Sequence, residues 1–236
     1  MTNRFSDQLE KVIKGASRPI GFGQYTAAAK PRLFILAETV SIADGSKLAG
    51  VDAVMVPGPC QCPTEKSAVL RGCSVGDTAG HTGCDFIVLD LDGTIVGFDE
   101  DTARVLRIGD DLSDAQVRAL GGLDPAALIA EARLGDSMTF RDLLEVQRLV
   151  DFCGKPLLLR LPKIYGKVEM QALSDRGIAG VVVDSAVIDT VTLRKAVEEL
   201  EPKKHSREKA TAVVNRPPPT AQAEESQPEI EPDEDD

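Results

Sequence analysis

The stretch Cys84–Asp114 reads CDFIVLDLDGTIVGFDEDTARVLRIGDDLSD. Its apolar segment Phe86–Leu89 predicts a buried strand that ends at two acidic residues, Asp90 and Asp92. A second apolar segment, Val105–Ile108, follows after an acidic loop. Continuous apolar segments of this length, without alternating polar residues, are typical of parallel strands that are covered on both faces. The stretch therefore predicts an α/β protein.

The same pattern recurs along the chain from Arg32. Alternating strands and helices indicate a parallel sheet with right-handed crossovers. Eight such units predict a small, irregular, TIM-like (β/α)8 barrel over residues 32–201. An open doubly wound parallel sheet is the alternative, since it would tolerate two wrongly assigned strands. The eight predicted strands are 33–37, 53–56, 73–75, 86–89, 105–108, 126–130, 157–161 and 180–183.

Helical periodicity places the remaining elements. Residues 1–31 are predicted to be an amphipathic helix followed by an extended lead-in, with Phe5, Leu9, Val12 and Ile13 on one face of the helix. The other predicted helices are Thr64–Arg71 with Thr64 as its N-cap, Asp111–Leu120, Thr139–Phe152, Val168–Ser174 and Val187–Leu200.

Composition excludes several classes of partner. The net charge of −11 argues against a nucleic-acid backbone or an anionic membrane as the main partner. No apolar run approaches the ~18 residues of a membrane span, so we expect a cytoplasmic protein. Residues 202–236 are rich in proline and end in acidic residues. We expect this acidic tail to be disordered and to be available to a protein partner.

The residues Asp90-Leu91-Asp92-Gly93-Thr94 resemble the first motif of the haloacid dehalogenase phosphatase superfamily, hhhhDxDGT. The resemblance implies that Asp90 is a nucleophile, that Asp92 is a general acid/base and that magnesium is bound. The segment Gly109–Asp114 resembles the closing GDxxxD motif of that family. Residues 95–108 are too few for a βαβ crossover of about 30 residues, however, so the order and spacing of the motifs favour a barrel strand that ends in acids.

The run from Cys84 to Asp184 also resembles uncharacterised bacterial barrel proteins, a resemblance that implies no activity. In a barrel, chemistry takes place at the carboxyl ends of the strands. Acids that converge there with a base can transfer protons or bind a small metabolite. No nucleotide motif is present and no cofactor is indicated; the alternative is a non-catalytic scaffold. The predicted catalytic residues are Glu131, Asp184 and Asp90, and the predicted ligand-binding residues are Glu38, Asp92, Arg160, Lys163, Tyr165 and Ser185.

Five cysteines are present, an odd number that is consistent with reduced thiols. Cys60-Gln61-Cys62, Cys73 and Cys84 lie within 25 positions of one another. A zinc site is typically encoded by two close pairs of ligands, and this spacing provides only one. The spacing therefore predicts no metal site, and Cys84 and Cys153 are interpreted as small buried residues.

Overall fold

The computed structural model describes residues 3–15, 33–45, 48–62, 67–75, 83–93 and 102–201. Its strands are β1 (Phe34–Glu38), β2 (Ala53–Pro57), β3 (Leu70–Val75), β4 (Phe86–Asp90), β5 (Ala103–Ile108), β6 (Ala127–Ala130), β7 (Leu157–Arg160) and β8 (Gly180–Asp184). They form a closed parallel barrel in chain order, in which β8 pairs with β1. The predicted barrel is confirmed, and the open doubly wound sheet is excluded because no strand is left at an edge.

The predicted helix Thr64–Arg71 is wrong. Leu70 and Arg71 belong to β3, where they lie beside Ala53 and Val54 of β2. Barrel closure requires β3 to pair along β2, and this pairing overrides the weak helical pattern of the segment. Residues 63–66, including the predicted N-cap, lie outside the described residues.

The helices are unevenly distributed around the barrel. They are α1 (Arg4–Gly15), α2 (Ile42–Gly45), α3 (Asp114–Gly122), α4 (Phe140–Cys153), α5 (Lys167–Arg176) and α6 (Thr190–Glu198). Helices α3 to α6 follow β5 to β8 one by one, as predicted. Within residues 48–62, 67–75, 83–93 and 102–108 there is no helix, and the connections at 63–66, 76–82 and 94–101 lie outside the described residues.

The predicted helix Thr139–Phe152 is found as α4, and both of its ends are capped. The Thr139 hydroxyl accepts a hydrogen bond from the amide N–H of Asp142, and the Asp142 carboxylate accepts one from the amide N–H of Thr139. This capping box satisfies backbone donors that the first helical turn leaves open. At the other end, Gly154 adopts a left-handed conformation with φ of 59°, which glycine tolerates best.

Helix α1 closes the amino-terminal end of the barrel. Phe5 is fully buried, with its ring centroid 5.5 Å from that of Phe34 and 4.8 Å from that of Phe86. Glycine stands beside each strand phenylalanine: a Cβ at Gly72 would come within 2.5 Å of the Phe86 ring, and one at Gly180 within 2.3 Å of the Phe34 carbonyl oxygen. Large and small residues thus interlock to fill the interior. None of the described helices is long and apolar enough to cross a membrane.

Candidate functional site

Seven polar residues lie at the carboxyl ends of the strands on the inner side of the barrel. Successive side chains of a strand alternate between its two faces, so residues two apart share a face. Each of the seven lies an even number of positions after an inward-facing core residue such as Leu36, Val88 or Val105. We call these residues the mouth ring: Glu38, Ser74, Asp90, Arg107, Glu131, Arg160 and Asp184.

Arg107 connects three members of the mouth ring. Its Nη1 lies 3.4 Å from Oδ1 of Asp90, which is its direct neighbour on β4. Its Nη2 donates a hydrogen bond of 2.6 Å to the Ser74 hydroxyl. Its Nε lies 3.4 Å from Oε1 of Glu131, in an ion pair whose geometry falls short of a hydrogen bond. Because this nitrogen is buried, it is held within the mouth ring and is not open to a ligand.

Arg160 extends the same series of ion pairs. Its Nη1 lies 3.6 Å from Oε1 of Glu131, and its Nη2 donates to the Glu38 carboxylate. Charges therefore alternate in sign from Asp90 through Arg107, Glu131 and Arg160 to Glu38. The two arginines are 22% and 33% exposed and the Glu131 carboxylate 41%, so a solute can reach the series from the mouth.

Asp184 and Ser185 hold β8 against β1. The amide N–H and the hydroxyl of Ser185 both donate to the carbonyl oxygen of Glu38, at 3.0 and 2.8 Å. The Asp184 carboxylate accepts from the amide N–H of Ala186 at 2.9 Å and so stabilises the turn after β8. Asp184 belongs to the mouth ring, whereas the hydroxyl of Ser185 is engaged in closing the barrel.

Lys163 and Tyr165 contact a neighbouring loop. Lys163 donates to the carbonyl oxygen of Asp136, and its Nζ lies 5.4 Å from the centre of the Tyr165 ring. Tyr165 is buried and donates from its hydroxyl to the carbonyl oxygen of Gly135 at 2.7 Å. Burial, followed by the nearby carboxylate of Glu169, raises the pKa of Tyr165. Both predicted ligand-binding residues thus join the loops after β6 and β7.

The two halves of the phosphatase motif do not come together. Asp90 pairs with Arg107, whereas Asp110 pairs with Arg133 at 3.0 Å. Asp92 lies exposed in the turn after β4, and Thr94 lies outside the described residues. Among the described residues the structure therefore gives no evidence for the phosphatase hypothesis.

A small hollow adjoins the mouth ring between the ends of β5 and β6 and helix α4. Its volume is about 10 Å³, and it is lined in part by Gly109, Asp110, Glu131 and Glu145. A cavity of this size holds about one water molecule. A ligand larger than water would therefore bind at the open face of the mouth ring and not in this hollow.

The sequence prediction missed Arg107 and Ser74. Arg107 was counted as part of an apolar strand, although it lies two positions after Val105 and so shares its inward face. Ser74 was placed in a weak strand whose start was assigned three residues too late. The alternation of side chains along β3 and β5, applied from Leu70 and Ala103, would have identified both.

No metal-binding group of carboxylates is found among the described residues. The described groups whose ligand atoms lie within 4.8 Å of one another comprise only Cys60, Cys62 and Cys84. The spacing of the cysteines had predicted no metal site.

The comparisons with known proteins support the fold alone. No protein-family model and no curated protein match the chain. Among solved structures, tryptophan synthase from Mycobacterium tuberculosis aligns with a TM-score of 0.52 and 10% identity over 85% of this chain and 97% of that one. A structure from Aquifex aeolicus aligns with a TM-score of 0.51 and 10% identity over 84% and 98%. The tryptophan synthase alpha chain from Legionella pneumophila gives 0.50 and 10% over 84% and 95%. The chain is a TIM barrel.

Proposed function

We propose that this barrel binds a small polar metabolite at its mouth ring, with Glu131 as the central contact. The observation that carries the proposal is the series of alternating charges joined through Glu131. Glu38, Arg107 and Arg160 are only 21%, 22% and 33% exposed, and removing such charges partly from water costs free energy that their ion pairs must offset. Their convergence with three exposed acids at one end of the barrel supports a role in binding.

The charges of the mouth ring define the chemistry of the ligand. The guanidinium groups of Arg107 and Arg160, which are 22% and 33% exposed, favour a carboxylate or another anionic group. Glu38, Asp90, Glu131 and Asp184 favour ammonium or hydroxyl groups. A small zwitterion or hydroxy acid satisfies both sets, and half-exposed Glu131 is placed to exchange a proton with it.

A thermal-shift titration tests this function. The probes are glycine, 4-aminobutyrate, malate and inorganic phosphate, each at millimolar concentration. A ligand at about 100 times its Kd stabilises by about 2.7 kcal/mol, which raises the melting temperature of a domain of this size by roughly 5–10 °C. We expect at least one probe to give this shift and Glu131→Gln to abolish it.

The matched control is Glu198→Gln, the same substitution at an exposed position of α6. It is expected to retain the full ligand-induced shift. Equal stabilisation of wild type and Glu131→Gln by every active probe, or no stabilisation by any of the four, would contradict the proposal.

A second candidate function is an interaction module without activity, and exposed apolar residues favour it. Val40, Leu91 and Val187 follow the carboxyl ends of β1, β4 and β8, and Val40 and Val187 are 91% and 72% exposed. Phe140, in the first turn of α4, is 90% exposed. Apolar groups around the barrel mouth suit an interface with a second copy of this chain.

Sedimentation velocity of the full chain tests that second candidate. A concentration-dependent dimer that dissociates in Phe140→Ser and Val187→Ser would support it. Ile13→Ser is the control, because Ile13 is an exposed apolar residue at the opposite end of the barrel. A monomer at all concentrations would leave the ligand-binding function as the better account of the mouth.

A further inference from the structure

Four of the five cysteines gather on the outer wall of the barrel. The Sγ atom of Cys60 lies 3.8 Å from that of Cys62 and 3.5 Å from that of Cys84. The Sγ atom of Cys73 lies 4.0 Å from that of Cys84. The sequence had presented Cys73 and Cys84 as isolated residues, and the fold brings both of them to the C-x-C pair. We call this group the thiol cluster: Cys60, Cys62, Cys73 and Cys84.

Strand geometry explains how these residues meet. Cys73 points outward from β3, because it lies three positions after Leu70, which points into the barrel. The segment after β2 turns back along this wall and brings Cys60 and Cys62 against it. Cys84 precedes β4, whose Ile87 lies beside Cys73 in register. Three consecutive strand units thus each contribute at least one thiol.

Zinc binds thiolates at about 2.3 Å, and a regular tetrahedron with that radius separates its sulfur atoms by about 3.8 Å. Three of the six separations in the thiol cluster, 3.5, 3.8 and 4.0 Å, bracket this value. The Sγ atoms of Cys60, Cys62 and Cys84 all lie within 4.8 Å of one another, and Cys73, 4.0 Å from Cys84, lies at the edge of this group as the fourth ligand. A disulfide requires about 2.05 Å, and an iron–sulfur cluster would separate the thiolates further because the cluster itself lies between them.

Gly83 supplies a second, independent observation at the thiol cluster. Its φ is +70°, and a Cβ at this position would lie 2.9 Å from the carbonyl oxygen of Cys62. The backbone just before Cys84 therefore passes as close to the backbone of Cys62 as a glycine permits. This close approach is what brings the Cys62 and Cys84 thiols within reach of a common ion.

A metal ion at the thiol cluster would stabilise the part of the barrel wall that has the smaller apolar cluster. On the other side of the barrel, helices α3 to α6 bury a large apolar cluster against β5 to β8. The wall formed by β2, β3 and β4 has a much smaller cluster in which Cys62, Cys73 and Cys84 stand among five aliphatic residues. Small cores are often reinforced by a metal or a disulfide because they bury too little apolar surface.

We propose that Cys60, Cys62, Cys73 and Cys84 bind one zinc ion in a tetrahedral site that fastens the segment after β2 to β3 and β4. All four ligands come from this chain, and the site lies on the outside of the barrel wall. The site is thus separate from the mouth ring. The proposal of a zinc site does not depend on the proposed metabolite binding. The role of the zinc site is to strengthen a wall whose described residues form only a small apolar cluster.

Metal analysis of the full chain tests the site directly. Protein purified under reducing conditions and exposed to zinc, then dialysed, is expected to retain about one zinc per chain by mass spectrometry. Cobalt substitution is expected to give the intense charge-transfer and visible bands of tetrahedral thiolate coordination. Cys84→Ser should lose most of the metal, whereas Cys153→Ser should keep it, because the Cys153 thiol donates to the carbonyl oxygen of Lys155 away from the cluster.

Two further measurements remain informative if Cys84→Ser fails to fold. A chelator should lower the melting temperature of the wild-type protein, and zinc but not magnesium should restore it. Gly83→Ala should weaken zinc binding by about 10–100-fold, the range for residues that orient ligands. Gly58→Ala is the matched control: Gly58 also has a positive φ, of +82°, but a Cβ there meets nothing within 4 Å.

Several results would overturn the proposal. Reduced protein that retains no zinc would do so, and so would equal zinc content in Cys84→Ser and Cys153→Ser. Iron as the only retained metal would replace zinc by another ion. Disulfides among the four cysteines that persist in freshly purified protein, without zinc uptake after reduction, would assign the thiol cluster to redox chemistry.

Discussion

Replacement of Phe5 by alanine is expected to lower the free energy of unfolding by about 3–5 kcal/mol, the range for large-to-small substitutions of fully buried aromatic residues. The Phe5 ring is fully buried between those of Phe34 and Phe86 at the amino-terminal end of the barrel. Rigid strands surround the ring, so the space it leaves would collapse only partially. Urea denaturation followed by circular dichroism measures the loss.

Ile13→Ala is the control for the Phe5 substitution. Ile13 lies on the same helix, and the sequence placed it on the same apolar face, but 39% of it is exposed. Its truncation is expected to cost less than that of Phe5, about 1 kcal/mol, because a smaller side chain that stays partly in water loses less buried apolar surface. If the two variants lose similar free energy of unfolding, the burial of Phe5 in the end of the barrel does not account for the contribution of α1 to stability.

The sequence predicted the barrel because its strands are short and apolar. Segments such as Phe86–Leu89 and Leu157–Leu161 cannot be amphipathic surface elements, so their burial on both faces follows from composition alone. The start of β3 was predicted poorly because Arg71, Gly72 and Ser74 interrupt its apolar pattern. A side chain at position 72 would collide with the ring of Phe86 on the neighbouring strand. The sequence around Gly72 does not reveal this requirement.

The mouth ring was predictable in part. Glu38, Asp90, Glu131, Arg160 and Asp184 were found because each stands where an apolar strand ends. Lys163 and Tyr165 were not members of the ring, since the path of a loop beyond the strand end does not follow from its sequence. The thiol cluster was the feature least predictable from the sequence. The cysteines become neighbours only because the segment after β2 packs against the barrel wall, and the spacing of cysteines along the chain does not indicate this.

Replacement of Arg194 by methionine is expected to cost about 3–5 kcal/mol, because it leaves a buried carboxylate without its counter-ion. Asp52 is only 5% exposed, and its Oδ2 lies 2.5 Å from Nη2 of Arg194 and 2.9 Å from the amide nitrogen of Ile35. Arg194 also donates from Nε to the carbonyl oxygen of Gly50 and from Nη1 to that of Leu33. The substitution removes all of these donors at once.

The Arg194 pair holds α6 against the start of β1 and β2, which is why its loss should affect global unfolding and not a local segment. Adding Asp52→Asn to Arg194→Met removes the unpaired charge while the amide oxygen still accepts from Ile35, so the double variant should recover part of the lost stability. Lys155→Met is the control, since it breaks an ion pair of the same 2.5 Å length in which Asp124 is 84% exposed. Exposed pairs contribute little, so this loss should be small. Equal losses in Arg194→Met and Lys155→Met would show that burial of Asp52 does not set the strength of the contact between α6 and the barrel.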